Sequence, residues 1–374
     1  MKEVRVAFVG CGRISDLHQL GYQGLNSARI VAVCDRNKNR AQVKAKEWGV
    51  QKVYTEYSDL LADPEIDMVE LLVPHHLHAK MVIDACRAGK HVSVQKPMAI
   101  SSMEADSMIR EAQKAKVLLR IYENFIFYEP FSKARKIIDD GEIGTPQMIR
   151  IHFSTGTRDS GWKIPLESWA WRFDQKKCGG GLLVFDHGYH LFSLARFFMG
   201  DAERVCAWID KTTVMPLFQV DAPATIMIKF KDSRKYGVID FCYTPQMKID
   251  SQHYSDDNRI EIVGEKGIIL INRCTAKTID LPELMVYNDG KTRNIPIENV
   301  QWKDSFIKCT RHFINVLQNG GNAMLDGKRG KAVLDIAIAA EISAMKHQEI
   351  KVSDIPKHEN CVSHVASPLR IPSP

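Results

Sequence analysis

Two textures of hydrophobic pattern meet near residue 124. Before it, short apolar runs alternate with helical stretches. Residues 4–9, 30–34, 68–73, 91–94 and 117–121 read as strands, several of them apolar without alternation. Such runs suit a parallel sheet buried on both faces. Residues 38–48, 78–88 and 102–114 carry helical spacing, with a Ser101-Ser-Met-Glu104 capping box and Gly89 placed as a stop. This alternation predicts a doubly wound α/β domain over 1–123. After residue 124 the period changes to two. Ile149, Ile151 and Phe153 share one face, and Arg150 and His152 the other; Ile226, Ile228 and Phe230 repeat the pattern. Further runs at 236–243, 259–263, 267–271 and 284–287, with a hairpin turn at Gly264-Glu-Lys-Gly267, predict an open, mainly antiparallel sheet. Helical patterns at 131–140, 304–318 and 330–346 complete a second domain over 124–354. The stripe Phe306, Cys309, Phe313, Val316 and Leu317 reads as core. Residues 355–374, with four prolines, are expected to form an extended tail.

Composition narrows the function. No apolar run approaches the roughly 20 residues of a membrane helix, and the first residues enter a strand pattern directly. A cytoplasmic protein that does not engage a membrane is expected. The nine cysteines form no Cys-x-x-Cys pair, which argues against a disulfide framework or a zinc site. The net charge of +6 comes from mixed-sign sequence without a basic cluster interleaved with aromatics, so nucleic-acid binding is not expected.

The chemistry begins at Gly10-Cys-Gly12-Arg13-Ile14-Ser15. The motif follows a strand and precedes a helical pattern, the context of a dinucleotide loop. Gly10 permits a tight turn, and Gly12 lets the backbone approach a pyrophosphate. Ser15 replaces the third glycine. Asp35 ends the second strand, where a carboxylate accepts both ribose hydroxyls and favours NAD over NADP; Arg36 beside it tolerates a 2′-phosphate. A helix N-cap is the structural alternative for Asp35.

Four segments in this order resemble the glucose–fructose oxidoreductase / inositol dehydrogenase (Gfo/Idh/MocA) family. They are the glycine loop, Val73-Pro74-His75-His76-Leu-His78, Ala88-Gly89-Lys90-His91-Val-x-x-Gln95-Lys96-Pro97, and Gly179-Gly-Gly-x-x-x-x-Asp186-His187-Gly188-Tyr189-His190. The resemblance spans roughly residues 4–350. It implies a Rossmann domain followed by an α/β domain with a large open sheet, and oxidation of a sugar or polyol hydroxyl with NAD. It implies a cofactor site that includes Val73, Pro74, His75, His78, Gln95, Lys96 and Asn124. Glu123-Asn124-Phe125 and Trp169-Ala-Trp171-Arg172 look like a subgroup associated with glycosides. Two positions depart from the family pattern: Gln95 stands where Glu is usual, and His75 where Asn is usual.

Oxidising a secondary alcohol sends a hydride to the nicotinamide and a proton to a base, and the developing alkoxide needs a cation or donor. Given the motif, Lys96 is the candidate cation and His190 the candidate base; which one takes the proton stays open. Asp186, four residues before His190, shares a helical face with it and is expected to orient the substrate or the imidazole. Trp171, Arg172 and His187 are candidates for the sugar pocket. Trp169 and Trp171 read equally as pocket wall or core, and His187 is alternatively expected to pack against them. No metal site is expected. The neutral Gln95 is expected to lower the Lys96 pKa by removing an opposite charge. A glycoside 3-dehydrogenase is favoured, with an inositol or free-sugar dehydrogenase second. A non-catalytic NAD-binding regulator is the rival from another class, though such relatives often lose the lysine or histidine. A homo-oligomer, dimer or tetramer, is expected by family likeness and from the open sheet.

Overall fold

The computed structural model describes residues 3–157, 161–163, 165–215, 218–231 and 234–356. The expected tail therefore lies, beyond Pro356, outside the described residues.

Six parallel strands build the first sheet: β1 (Val4–Val9), β2 (Ala28–Cys34), β3 (Lys52–Tyr54), β4 (Met68–Leu71), β5 (His91–Gln95) and β6 (Leu119–Tyr122). Their order is β3-β2-β1-β4-β5-β6. The continuous apolar strands are explained by two cores. Val6 and Phe8 of β1 enter one, Ala7 and Val9 the other, so neither face tolerates a polar residue at most positions. The strand order reverses between β1 and β4, which opens a crevice beyond their carboxyl ends. The short β3 and the helix Tyr57–Ala62 were not anticipated, because a three-residue strand carries almost no periodicity. Ser101 caps its helix by accepting the Glu104 N–H, and Gly89 takes a φ of 71°.

The second sheet contains β7 (Pro146–Thr157), β8 (Ala202–Ile209), β11 (Ala224–Phe230), β12 (Tyr236–Lys248), β13 (Asp256–Gly264), β14 (Gly267–Ile271), β15 (Leu284–Asn288), β16 (Lys291–Asn294) and β17 (Ile350–Lys351). A separate hairpin joins β9 (Thr212–Met215) to β10 (Phe218–Val220). The sheet order is β16-β15-β14-β13-β7-β12-β11-β8-β17, antiparallel except for the central pair β7–β12. Ile149, Ile151, Phe153, Ile226, Ile228 and Phe230 are all buried on one face, as their alternation requires. The helices Gly188–Met199 and Gly327–Lys346 cover that face, and the second also packs on β6 and on the helix Ser102–Ala115. The helix Lys303–Asn319 returns to the first sheet, burying Phe306, Cys309, Phe313 and Val316. No described helix is long and apolar enough to cross a membrane.

Candidate active site

The loop after β1 is shaped for close approach. Gly10 has a φ of 96°, and a Cβ there would stand 2.2 Å from the Leu72 carbonyl oxygen. Only glycine fits. A Cβ on Gly12 meets nothing within 4 Å, so open space lies above this turn. Ser15 is fully buried, and its Oγ donates to the Gly12 carbonyl at 2.7 Å. Asp35 accepts the Cys11 N–H at 3.0 Å and the Asn37 N–H at 2.8 Å, holding the loop from the end of β2. The cap of the following helix is Asn37, not Asp35. Arg36 is exposed beside it, and Ile14 is partly buried against both cores. Arg13 lies with its guanidinium 5.0 Å from the Trp162 ring. A glycine cradle open to solvent, with an acid at the next strand end, fits a dinucleotide.

The turn after β5 presents Lys96. Its Nζ donates to Asp186 Oδ1 at 2.7 Å and to the Asp186 carbonyl oxygen at 2.8 Å. Arg172 Nε donates to the other carboxylate oxygen at 2.7 Å. Burial alone would push the Asp186 carboxyl up, but Lys96 and Arg172 hold it well below the usual carboxylate range. The Arg172 guanidinium in turn rests 4.4 Å from the Trp171 ring centre. Trp171 thus borders the cluster, whereas Trp169 turns away onto Phe173.

His190 is oriented by Glu123. Its Nδ1 lies 2.8 Å from both carboxylate oxygens, and its ring stacks on Phe125 at 4.0 Å. A carboxylate at Nδ1 fixes the proton there and leaves Nε2 with the lone pair. Burial lowers the His190 pKa from 6.5 despite the nearby Glu123, so the imidazole is neutral at neutral pH. The charges of Lys96 and Asp186 both act on this ring.

The expectation that Asp186 and His190 share a face of one regular helix is corrected. Leu182–His187 is a turn of π-helix, with the Asp186 N–H bonded to the Gly181 carbonyl, and the α-helix begins only at Gly188. The wider turn swings Asp186 to Lys96 and leaves the imidazole to Glu123. His187 does not pack on Trp169 or Trp171 either; its ring lies 4.2 Å from Phe153.

Residues 4–123 match the family model described as the oxidoreductase family with an NAD-binding Rossmann fold, and residues 131–270 match the GFO/IDH/MocA C-terminal domain. The chain belongs to the Gfo/Idh/MocA oxidoreductase family. It is 28% identical to the myo-inositol 2-dehydrogenase of Thermotoga maritima, over 94% of this chain and 99% of that protein. It is 25% identical to the D-apiose dehydrogenase of Paraburkholderia graminis, over 98% and 94% of the two chains. A solved levoglucosan dehydrogenase, in complex with NADH and levoglucosan, shares the fold with a TM-score of 0.80 at 21% identity, covering 94% of this chain and 99% of that one.

This Gfo/Idh/MocA chain handles its two departures locally. His75 is buried, with Nδ1 2.8 Å from the Cys178 carbonyl, Nε2 3.6 Å from Asp186 and its ring perpendicular to that of Trp171 at 4.6 Å. Burial brings its pKa down to about 3, so it adds no charge to the cluster. Gln95 does not face the Lys96 ammonium. Its amide meets His18, and its oxygen accepts the Lys96 backbone N–H. The expectation that residue 95 tunes the lysine directly is therefore corrected: the counter-charge of Lys96 is Asp186. His78 lies 2.8 Å from the Pro97 carbonyl and 2.9 Å from that of Val73, bracing the turns that hold Pro74 and Lys96. Asn124 is buried and donates to Ser305 Oγ at 2.8 Å, so its amide faces the helix Lys303–Asn319, not the crevice.

Sequence reasoning missed Glu123 as the partner of His190 and missed a buried network of His18, Tyr22, Glu70, Ser93 and Arg120. Glu70 accepts from His18 at 2.8 Å, Tyr22 at 3.1 Å and Ser93 at 3.1 Å, with Arg120 at 3.7 Å. The available signal was an acid and an arginine inside otherwise apolar strands.

Proposed function

We propose that this protein oxidises a secondary ring hydroxyl of a sugar or polyol to a ketone, with a glycoside oxidised at its 3-position as the favoured substrate. The observation that carries the reading is the proximity of two devices: Lys96 anchored on Asp186, and a neutral His190 backed by Glu123, whose ring feels the charges of both Lys96 and Asp186. Bound NAD supplies the hydride acceptor, held by Gly10, Gly12 and Asp35. Lys96 steadies the substrate oxygen as negative charge grows on it. His190 accepts the hydroxyl proton at Nε2, and Glu123 stabilises the imidazolium that forms. Trp171 and Arg172 border the sugar pocket beside Asp186.

An inositol or free-sugar dehydrogenase is the second reading, since it needs the same cation and base and relatives are named for inositol and apiose. NADH absorbance on a panel of glucosides, free sugars and inositols, with and without an external electron acceptor, separates the two. Turnover on glucosides but not inositols supports the first reading, and the reverse supports the second.

A homo-oligomer is part of the same proposal. Trp208, Met227 and Tyr236, 58%, 39% and 47% exposed, share the uncovered face of the second sheet by register. A second copy would cover them. Light scattering of the wild type and a Trp208→Glu variant tests this.

A further inference from the structure

Behind the site, away from the crevice, two acids grip the start of the element that carries Asp186. The π-helical turn Leu182–His187 bonds five residues back, so its first N–H groups have no partner inside it. Asp221 supplies partners for two of them. Its Oδ1 accepts the Leu183 N–H at 2.7 Å and its Oδ2 the Val184 N–H at 2.6 Å. Glu341, from the last long helix, accepts the Gly181 N–H at 2.9 Å.

The glycine run is built around this grip. A Cβ on Gly181 would stand 1.9 Å from Asp221 Oδ2. Its backbone, at φ −71° and ψ 156°, is ordinary for any residue, so only the carboxylate excludes a side chain. Cβ atoms on Gly179 and Gly180 would collide with the Phe185 side chain at 2.7 Å and 2.6 Å. The three glycines let Asp221 and Phe185 close directly on the backbone.

We infer that Asp221 is a positioning residue for hydroxyl oxidation: by holding the Leu183 and Val184 N–H groups it sets where Asp186 meets Lys96 and Arg172. The inference rests on the reading of that cluster as the oxidation site. Val184 stands two positions before Asp186, within one turn, so a shift of the grip is passed to the carboxylate that anchors the lysine. Misplacement of a reacting group by about 1 Å costs up to ~100-fold in rate.

The test uses the full chain with NAD and the best polyol substrate. Asp221→Asn keeps the size but turns an N–H2 toward one backbone N–H, pushing the turn away. Gly181→Ala displaces the carboxylate from the other side. Each is expected to lower kcat by ~10- to 100-fold while NADH affinity stays within about threefold. Because both break one contact, the double variant is expected to be no slower than the slower single variant. Hydrogen exchange is expected to rise at the 183–184 amides in both. The melting temperature of Asp221→Asn is expected to fall by no more than a few degrees, because the lost acceptor is partly offset by relief of the repulsion between Asp221 and Glu341. A kcat within twofold of wild type in Asp221→Asn overturns the inference. So does a loss that tracks the unfolded fraction, or losses that multiply in the double variant. Absence of wild-type turnover on every polyol overturns the functional reading instead, and the exchange result then decides alone whether Asp221 holds the turn.

Discussion

Gln95 donates its side-chain amide to His18 Nε2 at 3.0 Å while its oxygen accepts the Lys96 backbone N–H at 2.8 Å. His18 ends the short helix that follows the glycine loop, and its Nδ1 faces Glu70 at 2.8 Å. One amide thus ties the cofactor loop to the lysine turn. Because Nε2 accepts, the His18 proton sits on Nδ1. Burial keeps the ring neutral although Glu70 pulls the other way.

Gln95→Glu would set a carboxylate against Nε2 and demand a second proton on His18. The His18 pKa is expected to rise, because a second carboxylate against the ring favours the imidazolium over burial. Nitrogen-15 shifts of the His18 ring read this directly. Unchanged shifts would refute the coupling.

Lys96→Met removes the cation proposed to steady the substrate oxygen and leaves Asp186 with Arg172. We expect kcat to fall by ~10²- to 10³-fold, with NADH binding by fluorescence changed far less. Loss of NADH binding in step with kcat would make the lysine a cofactor clamp only.

Glu123→Gln should expose the dependence of His190 on its partner. Glu123 raises the His190 pKa against burial, so its removal lowers that pKa further. The acid limb of the kcat profile is expected to move to lower pH. At neutral pH the rate should fall by ~10- to 100-fold, because the imidazolium loses its counter-charge. An acid limb that stays in place would point to another base.

Asp35→Ala removes the proposed acceptor for the ribose hydroxyls and frees the Cys11 N–H. The KM for NAD is expected to rise ~10-fold or more, and the NAD-to-NADP preference to shrink. Paired kinetics with both cofactors check it.

Stability should fall in mild acid. Burial lowers the pKa of His75 from 6.5 to about 3 and of His78 from 6.5 to about 4. Both bind protons more readily unfolded than folded. Their contribution is therefore complete above pH 6.5 and is lost as pH falls toward 4 and then 3. The melting temperature is expected to drop by ~5 °C or more between pH 7 and pH 5. A flat profile over that range would mean these rings are solvated.

The fold was readable where one physical demand dominated. β1, doubly buried, and β14, buried on one face, match their expected limits residue for residue. The glycine loop was legible because close approach restricts residue choice, and Lys96 stood out as a charge just past a strand end. The partners were not. Glu123 and His190 meet across 67 residues, and neither shows a local pattern naming the other. The π-turn at Leu182–His187 was hidden because spacing alone presumes 3.6 residues per turn. Gln95 was misread because the sequence gives adjacency to Lys96 but not the direction of the amide.

The parallel pairing of β7 with β12 has a consequence for how the chain is made. β7 is the first strand of the second sheet to leave the ribosome, yet both its neighbours, β12 and β13, lie far downstream. Until residues 236–264 have been synthesised, its two edges stay open and its apolar face of Ile149, Ile151 and Phe153 lacks the sheet around it. The centre of the sheet thus cannot close until β12 and β13 have followed, and a nascent chain stalled before β12 carries an unprotected template for pairing with other chains.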